Sequence, residues 1–134
     1  VMKGVILGIN RVATPVDITH GIPPQDVPAA ALVVDAASRC FPPGTVHVVV
    51  VDPGVGSERR MIALVCRGQY FVAPDNGVLT AVHADNPGVA VSLEETVFFR
   101  NPASATFHGR DIFGPAAAPA WREPVSANHP GEIR

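Results

Sequence analysis

The chain has 134 residues, a formal net charge of −2, and 47% hydrophobic against 16% charged residues. That is one domain's worth of ordinary globular composition, long enough to bury a real core. It carries no basic field for nucleic acid or an anionic membrane surface, no apolar run near the roughly 20 residues of a bilayer span, and no opening signal-peptide pattern.

Met2, Val5, Ile6 and Ile9 fall at helical spacing, so residues 1–9 read as a helix. It opens without a capping residue, in a chain that does not open on Met, which implies a preceding segment. Residues 13–19 read as a short strand, with Val16 and Ile18 alternating with Asp17 and Thr19. Pro15 restricts that strand to its start or to a sheet edge. A turn at residues 20–24 leads to Asp26, an N-cap candidate, with Pro28 tolerated in the first turn. Val27, Ala30, Ala31, Val34, Ala37 and Phe41 then give one helical face, ended by Pro42-Pro43-Gly44.

The β-branched run from Thr45 to Val51 predicts a fully buried central strand. It stops at Asp52, followed by Pro53, Gly54, Gly56 and the pair Arg59-Arg60. Residues 61–66 and 70–73 predict a hairpin around Arg67-Gly68-Gln69. Pro74-Asp75-Asn76-Gly77 is a second polar loop, before a short helix near residues 78–83 and a strand over 89–93. Further on, 97–99 is an apolar run, 101–104 is turn-like, and Thr106 to Asp111 forms a third polar loop. An Ala-rich helix start follows, interrupted by Pro119 and Pro124. Residues 123–134 lack periodicity and read as a linker or frayed tail, leaving 1–122 as the domain. The order of elements predicts an α/β fold whose sheet is mostly parallel, with flanking helices and a β-hairpin insertion.

Cys40 and Cys66 sit singly in apolar segments and read as buried, reduced thiols, consistent with a cytoplasmic protein. No metal site is expected. Asp17 and His20 straddle a strand end and His47 lies five residues before Asp52, spacings that put the partners on opposite faces. Nor is there a nucleophile elbow or a phosphate cradle. Taken singly, Asp52 reads equally as a turn cap, Arg59-Arg60 as a solvated pair, and Asp75-Asn76-Gly77 as a plain turn. His108, between Phe107 and Gly109 and next to Arg110-Asp111, fits a site loop or a structural role. Asp, Arg and His residues spread over these polar loops form a set able to activate a small nucleophile such as water.

Residues 51–60 (VDPGVGSERR), 73–77 (APDNG) and 106–113 (TFHGRDIF) resemble motifs of the S-adenosyl-L-methionine (SAM) hydrolase (adenosine-forming) family. Its members are also called SAM hydroxide adenosyltransferases, and the family is related to SAM-dependent chlorinases and fluorinases. Residues 2–6, 17–20 and 41–45 fit the family in order, so the resemblance covers about residues 1–118. It implies a Rossmann-like N-terminal α/β domain that cleaves SAM with water at the ribose C5′, giving adenosine and L-methionine. SAM is the substrate, no cofactor or metal is implied, and family members are homotrimers. The implied catalytic set is Asp52, Arg59 and His108, with Asp75, Asn76, Phe107 and Gly109 as substrate-binding residues. The halogenase relatives typically place Tyr where Asp52 stands, which favours water over halide. The family's opening strand, with its Thr-Asp-Phe-Gly motif, and its C-terminal β-barrel domain have no counterpart in these residues. A halogenase and a non-catalytic SAM- or adenosine-binding module, or an inactive fragment, stand as the alternatives.

Overall fold

A computed structural model describes residues 2–53, 60–85 and 87–92. Helix α1 spans Met2–Ile9 and is closed by Asn10, whose backbone N–H donates to Ile6 O and whose Oδ1 accepts from Val12 N. The following segment, 13–19, has no regular secondary structure and joins no ladder among the described residues, so the expected strand is not one. Pro15 lacks a donor, and Val16 and Ile18 are exposed rather than set into a sheet face.

Helix α2 (Val27–Ser38) starts as its sequence predicts. Asp26 Oδ1 accepts from Ala29 N at 3.0 Å, satisfying one of the orphan donors of the first turn. Ala30, Val34 and Ser38, four apart, form its buried stripe. The helix ends at Ser38, three residues short of the expected face at Phe41. Phe41 precedes Pro42, which disfavours helical backbone there, and Cys40 N and Phe41 N close the end on Ala37 O and Ser38 O. Cys40 is therefore exposed, contrary to expectation, while Cys66 is buried.

Strands β1 (Val46–Val48), β2 (Met61–Cys66), β3 (Gln69–Pro74) and β4 (Val89–Ser92) form a sheet in the order β1-β3-β2-β4. The expected hairpin is present. Its two turn residues, Arg67 and Gly68, both have positive φ (54° and 70°), the backbone that matches the twist of a two-residue connection. β1 is an edge strand of the described sheet and only His47 on it is buried, so the expectation of a fully buried central strand is corrected. Among the described strands the sheet is also mixed rather than mostly parallel in its pairings. β1 pairs with β3 in parallel, but β2 pairs antiparallel with both β3 and β4. The tight hairpin makes β2 antiparallel to β3, because a two-residue turn can only join antiparallel strands, and β4 pairs with the other side of β2, running the same way as β3 and β1.

Helix α3 (Thr80–Asp85) packs on α2 over the sheet. Phe71, Ala73, Val78 and Val82 are fully buried there with Leu64, Cys66, Ala30 and Val34. Gly88 leads into β4 where a Cβ would stand 2.0 Å from Val65 O, so only glycine lets β4 approach β2.

Candidate active site

The strand registers bring four chain segments to one edge of the sheet. Val48 lies across from Val72, Met61 from Pro74, and Ile62 from Ser92. The carboxyl ends of β1, β3 and β4 and the amino end of β2 therefore share that edge. Asp52 follows β1, Asp75 and Asn76 follow β3, and Arg60 precedes β2. Carboxyl ends of parallel strands are where open α/β sheets hold ligand chemistry.

Two side chains from the β3 loop reach across to the Asp52 loop. Asn76 Nδ2 donates to the carbonyl of Val51, the residue before Asp52, at 3.0 Å. Arg60 Nη2 donates to Asp75 Oδ2 at 2.8 Å, while Asp75 N donates to Arg60 O at 2.8 Å. The β3 loop is itself held in shape: Val78 N donates to Asn76 Oδ1 at 3.1 Å, and Gly77 turns the chain at φ 90°. Asp52 is half-buried at this edge.

Of the expected site residues, Asp52, Asp75 and Asn76 are thus brought together. Arg59, Phe107, His108 and Gly109 lie outside the described residues, as do Gly54 and Gly56. Arg60, read from sequence as half of a solvated pair, instead belongs to Asp75. Counting back from the two-residue turn at Arg67-Gly68 places residue 60 across from residue 75, a signal that could have found the pair.

Other polar clusters lie away from this edge. A cavity of about 360 Å³ runs along the open side of β1, between α1, the 13–20 segment and Phe41; Asp52, Asp75 and Asn76 do not line it. At its rim Asp17 accepts from Lys3 Nζ and stands 3.1 Å from His20 Nε2. Lys3 first, then His20, hold the Asp17 carboxyl below the usual carboxylate range. This overturns the opposite-face placement of Asp17 and His20, because the segment is not a strand and spacing of three does not alternate there. Among the described residues no three His, Cys, Asp or Glu converge as a metal site. On α2, Asp35 accepts from Arg67 Nη2 at 2.8 Å, and Arg67 also donates to Val82 O. The Arg67 hydrogen bond is the main reason the Asp35 carboxyl is held low. That bridge ties α2 and α3 to the hairpin turn and is structural.

Comparison with known proteins bears on what this edge does. Residues 1–128 match the model of the SAM hydroxide adenosyltransferase N-terminal domain. The chain is 44% identical over 117 residues to the (R)-S-adenosyl-L-methionine hydrolase of Salinispora tropica, an overlap of 86% of this chain and 44% of that protein. It is more distantly similar to the fluorinase of an Actinoplanes species, 28% identical over 134 residues. It superposes on the crystal structure of an uncharacterized conserved protein from Thermotoga maritima with a TM-score of 0.89 at 43% identity, covering 98% of this chain and 52% of that one. The chain spans less than half the length of the curated relatives it matches.

Proposed function

The chain belongs to the SAM hydroxide adenosyltransferase family, and we propose that it supplies the water-handling edge of an enzyme that hydrolyses SAM to adenosine and L-methionine. The observation that carries this is an aspartate four residues beyond β1, in the loop at the carboxyl edge of the sheet, in a chain 44% identical to a protein named as that hydrolase. The markedly lower identity to the fluorinase favours water over halide.

The chemistry asks little of an acid. A C5′–O bond forms as the C5′–S bond breaks, and the electron pair leaves on sulfur as the neutral thioether of methionine. The sulfonium charge is lost and one proton of the attacking water must be taken up. What the reaction needs is a positioned, partly desolvated water in line with the leaving sulfur. In this reading His108 accepts the proton, Arg59 stabilises hydroxide character as it develops, and Asp52 orients Arg59 and the water. Phe107 and Gly109 beside His108, with Asp75 and Asn76 across from the Asp52 loop, form the substrate side.

Residues 1–122 are then the family's N-terminal α/β domain and 123–134 a linker or tail. The enzyme works as a cytoplasmic homotrimer with SAM as its substrate and without cofactor or metal. The test is to incubate the complete polypeptide that carries this chain with SAM and to follow adenosine and methionine. Stoichiometric release of both is expected. Binding without turnover, or a halide-dependent 5′-halo-5′-deoxyadenosine, would overturn the reading.

A further inference from the structure

We propose that Asp75 and Asn76 are positioning residues that fix the two ends of the loop carrying Asp52 and Arg59, rather than residues that touch substrate. The inference rests on the hydrolase reading and changes the role of two of its residues. Val51, immediately before Asp52, gives its carbonyl to Asn76 Nδ2 at 3.0 Å. Arg60, immediately after Arg59, is held twice by Asp75, through side chain and backbone, each at 2.8 Å. Both ends of one loop are therefore tied to one turn.

That turn is a firm anchor. Pro74 before it is fully buried and Val78 after it is completely shielded from solvent. Asn76 Oδ1 is occupied by Val78 N, and Asn76 N donates to Pro74 O. Asn76 thus spends its carbonyl on its own loop and its amide on Val51. The Arg60–Asp75 pair is 49% and 37% exposed, so it adds little to global stability. Its value lies in geometry: it sets where Arg60 stands as the chain enters β2. A misplacement of about 1 Å in a catalytic group costs on the order of 100-fold in rate.

The test uses Asn76→Asp, which keeps an acceptor for Val78 N but removes the donor to Val51 O, together with Asp75→Ala, Arg60→Ala and the double variant. In the complete polypeptide, kcat for SAM is expected to fall about 10- to 100-fold with KM unchanged. Asp75→Ala/Arg60→Ala is expected to lose no more than either single change, because the two act as one contact. Hydrogen exchange of peptides spanning residues 50–61 rises in each variant while residues 62–73 stay protected. A raised KM at unchanged kcat, losses that multiply in the double variant, or unaltered exchange at 50–61 would each overturn the proposal. If the parent protein does not turn over SAM, the hydrolase reading fails, and the exchange pattern alone decides whether the clamp exists.

Discussion

The His47 imidazole and the Gln69 amide meet at 2.7 Å with only one arrangement of hydrogens open to them. Gln69 Nε2 donates to Ser38 O at 3.0 Å and to Phe41 O at 2.7 Å, so its Oε1 must face His47. His47 therefore donates from Nε2, so that when the ring is neutral it is the tautomer with Nδ1 unprotonated. Phe71 stacks on the ring with centroids 4.7 Å apart, and Phe41 meets it edge-on at 5.5 Å. A buried glutamine thus joins the end of α2, β1 and β3.

Gln69→Leu removes the partner of one buried N–H and two backbone carbonyls at once. With each of these three orphaned groups costing about 1–3 kcal/mol, a loss of at least about 3 kcal/mol is expected. Urea unfolding checks it: the midpoint falls while the m-value stays constant.

Burial pushes the His47 pKa below its ordinary 6.5, against a smaller opposing effect of Gln69. The unfolded chain then binds this proton at a higher pH than the folded one does. The stability owed to neutral His47 is complete above about pH 6.5 and declines as pH falls from there toward the folded-state pKa. Urea midpoints at a series of pH values read this slope, and it is expected to flatten in His47→Gln, leaving the contributions of the other groups.

Cys40 is exposed, whereas Cys66 is buried against Val82 O and burial raises its thiol pKa. An aromatic disulfide reagent should modify one thiol per chain rapidly at neutral pH and the second only on unfolding. Cys40→Ser should abolish the fast phase and leave the slow one.

For the proposed chemistry, His108→Ala is expected to lower kcat on the order of 100- to 10,000-fold as a lost proton acceptor. Arg59→Ala is expected to lower it about 100- to 1,000-fold as a lost stabiliser of developing charge. Steady-state kinetics with SAM measure both, and undiminished turnover in either variant removes that residue from the mechanism.

Sequence legibility followed the reach of each interaction. The Asp26 cap and the hairpin at Arg67-Gly68 were readable because their partners lie within a few residues. The sheet order was not, because β2's place between β3 and β4 depends on pairings between distant segments. A strand period puts Asp17 and His20 on opposite faces, but their segment does not adopt it and the two side chains meet. The spacing of His47 from Asp52 carries no sign of its role, which is fixed by Gln69, 22 residues away. The loops at Asp52 and Asp75-Asn76 stood out by composition alone. Which atoms of one loop hold the other became visible only once the parallel pairing of β1 and β3 brought them to one edge.

The most direct measurement is SAM turnover by the complete polypeptide in ¹⁸O-labelled water, followed by mass analysis of the nucleoside. Attack of water at C5′ predicts adenosine carrying one ¹⁸O at its 5′-hydroxyl and unlabelled L-methionine. Unlabelled adenosine, a 5′-halogenated nucleoside, or intact SAM after prolonged incubation would contradict the account.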